Sequence, residues 1–515
     1  MASNGEARPG AATETIDLLI VGGGINGVGI ARDAAGRGLS VLLVEKDDLA
    51  SHTSSASTKL IHGGLRYLEY GEFRLVRESL IERERLLAMA PHIIWPLEFV
   101  LPQAQSPRPA WMVRLGLFIY DHLGGRKRLP ATRTVDLAQN SVGEGLSPRA
   151  GKAFIYSDCW VEDSRLVALN AVDAAERGAT ILTRTELTAA TRTGQGWNAR
   201  ITGPGGERSV TARVLINAAG PWVADILAKV PDARRDRGVR LIKGSHIIVP
   251  RLFPGKHAFM LQNPDKRIVF AIPYEGDFTL IGTTDEAWKG EPGRATISVE
   301  ETRYLCDTIG RYFARKITPD DVVWSYAGIR PLYDDHAASA SAVTRDYVLD
   351  LDAGSADEAR SPMLSIFGGK ITTYRKLAEH AMAELQRFFP AAKLAWTAGA
   401  VLPGGDIADL DFDRFVAELV TAYPALSPLL LRRLARAYGT RTKRVLGSAR
   451  LAEDLGRDFG GGLHQAEIDY LVAHEWARTA EDILYRRSKL GLHVPAGTAE
   501  QVDDYLQSRA EVVGA

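Results

Sequence analysis

Cysteine is nearly absent. Cys159 and Cys306 are the only two in 515 residues, too few for a disulfide framework and without the paired spacing of a metal site, so no metal is expected. Net charge is absent as well. The 63 basic and 63 acidic side chains cancel, which removes the global positive field that would mark nucleic acid as the main partner. No run approaches the ~18 uninterrupted apolar residues of a membrane-spanning helix, so any membrane contact is expected to be peripheral. Residues 1–13 hold small and polar types without an apolar centre. They read as a disordered leader, not a signal peptide. The scarcity of cysteine fits a reducing cytoplasm.

What the chain does contain is ordinary for a folded protein: 45% hydrophobic and 24% charged residues. Its length exceeds one hydrophobic core, so two or three domains are expected. Ile16 to Val21 is a short apolar run suited to a buried parallel strand. A glycine-rich turn, Gly22-Gly23-Gly24-Ile25-Asn26-Gly27, follows it. Ile25 to Arg37 then reads as a helix stopped by Gly38, and Val41 to Val44 as a second buried strand ending on Glu45. A similar strand, Val214 to Asn217, runs into Ala218-Ala219-Gly220-Pro221 much later, which predicts a discontinuous nucleotide-binding domain (14–80, 150–235 and 345–392).

Phe73 to Met89 reads as a charged amphipathic helix. Leu241 to Val249 and the hairpin 267–273/277–283 read as strands of a second, largely antiparallel substrate domain (81–149 and 236–344). Four helices are predicted in a C-terminal domain (393–515), over Phe412 to Tyr423, Leu429 to Tyr438, Gln465 to Leu484 and Val502 to Ala510.

The spacing of Gly22, Gly24 and Gly27 carries a mechanism. The first glycine permits the tight turn, the second lets backbone approach a pyrophosphate, and the third lets helix and sheet pack closely. The helix N-terminus offers N–H groups to phosphates, with Asn26 in its first turn. Glu45 is placed to accept ribose hydroxyls and disfavours a 2′-phosphate. Strand, turn, helix, strand and acid in this order predict a dinucleotide site, without separating FAD from NAD.

The next segment narrows that choice. Thr53-Ser54-Ser55-Ala56-Ser57-Thr58-Lys59-Leu60-Ile61-His62-Gly63-Gly64-Leu65-Arg66-Tyr67-Leu68 resembles the signature of FAD-dependent glycerol-3-phosphate dehydrogenases, flavoproteins of the D-amino-acid-oxidase type. So do Arg240 to His246, Gly328 to Leu332, Thr344 to Tyr347, and Phe367 to Arg375. The resemblance covers nearly the whole chain from about residue 15 and is strongest to the bacterial aerobic form. It implies an α/β fold with a Rossmann-like FAD-binding domain, an antiparallel-sheet substrate domain and a helical C-terminal domain. It further implies oxidation of sn-glycerol 3-phosphate to dihydroxyacetone phosphate, with electrons passing through FAD to a membrane quinone. A homodimer on the inner face of the cytoplasmic membrane is implied too.

Candidate residues follow from the matched motifs. Gly22, Gly24, Asn26, Gly27, Glu45, Ser54, Ser55, Thr58, Lys59, Leu60, His62, Gly63, Gly220, Gly368, Gly369 and Thr372 are the expected cofactor contacts. Arg66, Tyr67, Arg345 and Lys370 are expected around the substrate, where fixed cations suit a phosphate dianion. His246 is the preferred base because histidine titrates near neutrality, with His62 as runner-up. Arg330 is assigned a catalytic place beside the alkoxide, or alternatively anchors the phosphate. Oxygen in place of quinone, or another substrate on the same flavin fold, are the competing readings. Trp111 to Tyr120, followed by Arg126, Lys127 and Arg128, suits an interfacial membrane segment; a buried core helix with a basic loop explains it equally.

Overall fold

The computed structural model describes residues 15–104, 106–235, 237–334, 346–354 and 360–514. β1 (Ile16–Val21), α1 (Ile25–Gly36) and β2 (Val41–Val44) form the expected βαβ unit. β1 pairs in parallel with β2 on one side and with Gly206–Asn217 on the other, Leu18 opposite Val41 and Val214. Outward from Gly206–Asn217 come Met363–Phe367 and then Val348–Asp352; Thr180–Leu182 closes the other edge. This first sheet is therefore assembled from segments far apart in sequence.

α1 is apolar on nearly all sides, and its surroundings explain why. Ile25, Val28, Ile30, Ala31, Ala34 and Ala35 are all buried, between the sheet and the helices Asp163–Glu176 and Tyr374–Leu385. A helix enclosed in this way needs no polar face. Its buried Arg32 is satisfied by Asp173 at 2.6 Å and by the Val401 carbonyl.

The second sheet is antiparallel but for one parallel pairing, between Ala258–Gln262 and Ile94–Pro102. Its centre holds Val239–Pro250, Phe278–Gly282 and Ile268–Tyr274, close to the strands read from sequence. Two strands join it from segments assigned above to the nucleotide-binding domain: Leu60–Ile61 and Lys152–Val161. Ala153 to Val161 is buried throughout. A strand covered on both faces shows no alternation, so sequence alone does not tell which sheet owns it.

Two helices depart from expectation in instructive ways. α2 (Phe73–Met89) has the predicted bounds, and Arg74 and Arg77 are solvated, but Glu82 and Arg83 in its second half are not. Glu82 accepts two bonds from Arg375, at 2.6 and 2.7 Å, and Arg83 meets Asp158 at 2.5 Å, all four groups buried. In the C-terminal domain, the span predicted as one helix over 465–484 breaks. Gln465–His474 is helical, Trp476 takes φ +57°, and a π-helical turn occupies Asp482–Arg487. The cause is Glu475, whose buried carboxylate is held by Arg165 of the first domain. The predicted helices over 412–423, 429–438 and 502–510 appear as Phe412–Ala422, Pro428–Tyr438 and Thr498–Gly514. The predicted leader, 1–13, lies outside the described residues.

Candidate active site

Two adjoining cavities of about 240 Å³ each form one cleft between the sheets, sharing Ile25, Thr53, Ser54, Pro331 and Gly369 as walls. The first lies at the carboxyl ends of β1 and β2, where open α/β sheets bind their ligands. Gly22 there has φ +115°, a conformation closed to other residues, and a Cβ would strike the Ala218 carbonyl. A Cβ on Gly27 would strike the Gly22 carbonyl, so this glycine serves close packing and does not line the cleft.

Glu45 lines this end, yet its carboxylate also braces the turn. It accepts the Gly23 N–H at 2.6 Å and the Asp47 N–H at 2.8 Å. Burial pushes its carboxyl above the usual range, and those two N–H groups pull it back. Ser54 Oγ accepts the Ile25 N–H at 3.0 Å, and Asn26 Nδ2 donates to the Gly368 carbonyl at 3.1 Å. Asn26 Oδ1 is buried without a hydrogen-bond partner. It stands beside Gly369, whose φ of +101° only glycine adopts readily. An orphaned acceptor beside backbone that comes close from both sides is a cradle of the kind a nucleotide cofactor fills. Gly24 and Gly220 line it too.

The second cavity gathers Thr58, Leu60, His62, Tyr67, His246, Arg330, Lys370 and Thr372 from four distant segments. His246 Nε2 lies 2.9 Å from Thr58 Oγ1, and its ring stacks on Tyr326 at 4.8 Å between centroids. Burial, then the charges of Lys59 and Arg330, push its pKa down to about 3. The folded site therefore holds a neutral imidazole whose proton affinity is low until an anion enters the cleft. His62 is likewise pushed down to about 4, by burial first, while its backbone N–H donates to Thr372 Oγ1 at 3.2 Å. Lys370 Nζ sits 3.8 Å from the centre of the Tyr67 ring. Arg330 donates to the Thr284 carbonyl at 2.9 Å and lies 3.4 Å from Asp285.

Several expected contacts are not brought to the cleft. Ser55 Oγ donates to the His52 carbonyl and faces a separate cavity on the outer side of its loop. Lys59 is turned inward onto Asp163 at 2.9 Å. The Gly63 N–H is taken by Tyr120 Oη at 2.7 Å. Arg66 borders an apolar cavity beside α3 (Ala110–Leu123), reaching Tyr70 at 3.3 Å. For Lys59 and Gly63 the partner is distant in sequence, whereas Ser55 and Arg66 are held by neighbours three and four residues away. Arg345 lies outside the described residues.

Other wall residues escaped the sequence reading. Thr53 Oγ1 ties the loop to the Ile329 carbonyl at 2.6 Å. Trp222 carries Lys46 Nζ 3.9 Å from its ring centre at the nucleotide end. A tryptophan directly after Gly220-Pro221 was the available signal for the second.

Fold and cleft define a flavin-dependent oxidoreductase built on a dinucleotide-binding sheet. Residues 17–375 match the FAD dependent oxidoreductase family, and residues 395–514 match the C-terminal domain of alpha-glycerophosphate oxidase. The D-erythritol 1-phosphate dehydrogenase of Brucella abortus is 55% identical over 94% of this chain and 96% of its own. The glycerol-3-phosphate dehydrogenase of Pseudomonas aeruginosa is 53% identical over 96% of each. Among solved structures, the glycerol-3-phosphate dehydrogenase from Bacillus halodurans complexed with FAD superposes with a TM-score of 0.74 at 26% identity, covering 97% of this chain and 94% of that one. The chain belongs to the FAD-dependent glycerol-3-phosphate dehydrogenase family, and its cofactor is FAD.

Proposed function

We propose that this enzyme oxidises sn-glycerol 3-phosphate to dihydroxyacetone phosphate and passes the electrons to a membrane quinone. The observation that carries this reading is the meeting of His246, Arg330, Lys370 and Tyr67 at the end of the cleft remote from Glu45. A secondary alcohol loses a hydride from carbon and a proton from oxygen. FAD, when bound, supplies the hydride acceptor. The chain supplies the rest. Arg330 and Lys370 hold the phosphate, with Arg345 as a third cation. His246 takes the hydroxyl proton at Nδ1, which is buried without a hydrogen-bond partner, in the tautomer whose Nε2–H donates to Thr58 Oγ1. The substrate dianion raises the proton affinity that burial and the two cations had lowered. Arg330 then stabilises negative charge on the oxygen as it develops.

The test is anaerobic bleaching of the flavin by glycerol 3-phosphate, with glycerol and 2-hydroxy acids alongside. One observation favours a second reading. The Brucella relative, 55% identical, is named for D-erythritol 1-phosphate, a longer polyol phosphate with the same anionic group. Comparing kcat/KM for the two phosphates decides between them.

The acceptor reading rests on α3. Trp111, Met112, Leu115 and Phe118 are exposed on it, Trp111 by 68%, which favours the interfacial reading of this segment over the buried one. Arg126, Lys127 and Arg128 follow directly, suited to anionic lipid. Behind the helix lies an apolar cavity of about 220 Å³ walled by Leu65, Leu68, Met112, Val113 and Met260, a place for a lipid-borne acceptor. No helix among the described residues is long and apolar enough to cross a membrane. Sedimentation with anionic vesicles tests the membrane contact on the inner face of the cytoplasmic membrane. Quinone reduction without peroxide formation in air separates the dehydrogenase from an oxidase, and the molar mass in solution tests the homodimer.

A further inference from the structure

Asp163 is buried at the start of the helix Asp163–Glu176, behind the loop that carries Thr58 and outside the cleft. Its Oδ2 accepts Ser57 Oγ at 2.8 Å, and Lys59 Nζ bridges both carboxylate oxygens at 2.9 and 3.0 Å. Lys489, from the C-terminal domain, reaches Oδ1 at 3.4 Å. Ser57 and Lys59 are also joined to each other, the Lys59 N–H donating to Ser57 Oγ at 2.9 Å. Residue 58 lies between them, and it is Thr58 that faces His246 Nε2. One carboxylate thus grips both neighbours of the residue that orients the histidine. Tyr326 completes the cage: its hydroxyl donates to the Ser57 carbonyl at 2.8 Å while its ring stacks on His246.

Burying an acid with two lysines is a costly way to gain stability. Desolvation of such groups offsets most of their attraction, and apolar residues of similar volume often serve as well. What the ionic arrangement adds is direction, since each donor fixes one atom of the loop. The other end of the loop is secured by the same short stretch of the C-terminal domain. Asp48 accepts Arg486 at 2.8 Å and Arg487 at 2.7 and 2.8 Å.

We propose that Asp163 is a positioning residue for the oxidation. Through Ser57 and Lys59 it sets Thr58 against His246 Nε2, leaving Nδ1 as the proton acceptor, and Lys489 links that setting to the C-terminal domain. This rests on the reading of His246 as the base.

The test is a double-mutant cycle on the FAD-loaded enzyme with Asp163→Asn and Thr58→Val. Each single change is expected to lower kcat about tenfold with KM for glycerol 3-phosphate and flavin content little changed, and the double variant to be no slower than the slower single one. A purely structural Asp163 would multiply with Thr58→Val. Such multiplication, or an unchanged kcat in either single variant, overturns the proposal. Should Asp163→Asn fail to retain flavin, Ser57→Ala and Lys489→Met take its place. Each is expected to slow turnover about threefold in the wild-type background and not at all beside Thr58→Val. His246→Gln separates the two ideas. Retained turnover there removes the base reading, whereas multiplicative losses with an inactive His246→Gln remove only the role of Asp163.

Discussion

The two ends of the cleft are built by different means. The nucleotide end is centred on the stretch from Ile16 to Glu45, closed by Gly220, Gly368 and Gly369 from later segments, with glycines whose missing side chains are the functional feature. The other end is side chains, brought together from residues 58–67, 246, 330 and 370. A backbone site tolerates changes of surface chemistry but not an added Cβ. A side-chain site does the reverse, keeping its cofactor while losing its reaction.

The largest expected effect breaks the backbone end. Gly22→Val places a β-branched residue at φ +115° against the Ala218 carbonyl. The purified variant is expected to carry almost no flavin, read from its absorbance spectrum. Next comes the base. His246→Gln is expected to lower kcat about a thousandfold with flavin content and KM little changed, measured by steady-state kinetics with an artificial acceptor. Arg330→Ala follows, with kcat/KM falling about a hundredfold while FAD stays bound. A flavin-free Arg330→Ala protein would erase the contrast between the two ends.

A further effect concerns stability and leaves the contrast between the two ends untouched. Burial holds His62, His92 and His246 at about 4, 3 and 3, below the ordinary value of 6.5. Each stays neutral in the folded protein while its unfolded counterpart takes up a proton. Their contribution is therefore complete above pH ~6.5 and is lost as pH falls toward the folded values. The unfolding free energy is expected to decline with a slope of up to about 4 kcal/mol per pH unit from the three together. Denaturant unfolding between pH 7 and 5 measures it. His92 lies away from the cleft, packed on Gly404 and Gly439, so His92→Gln is expected to remove about one third of that slope without changing kcat.

Legibility in the sequence follows the same divide. β1, α1 and β2 were plain because strand, turn and helix signals lie side by side. The substrate end was legible only through matched motifs, and these identify residues without saying where they point. Arg66 and Lys59 sit in such motifs yet turn to Tyr70 and Asp163. Asp163 itself carried no signal, since nothing near it in sequence shows that Lys59, 104 positions earlier, and Lys489, 326 positions later, converge on it. The break at Glu475 was hidden for the same reason, its partner being Arg165. Buried ion pairs between distant segments are where local patterns give least.

The side-chain end is proposed to recognise a phosphorylated alcohol. Anaerobic flavin reduction tests it most directly, comparing glycerol 3-phosphate with glycerol in the wild-type enzyme and in the FAD-loaded Arg330→Ala variant. Rapid bleaching by the phosphate ester is expected in the wild type, none by glycerol, and slow bleaching in the variant. Equal bleaching by glycerol, or an unaltered rate in Arg330→Ala, would contradict it.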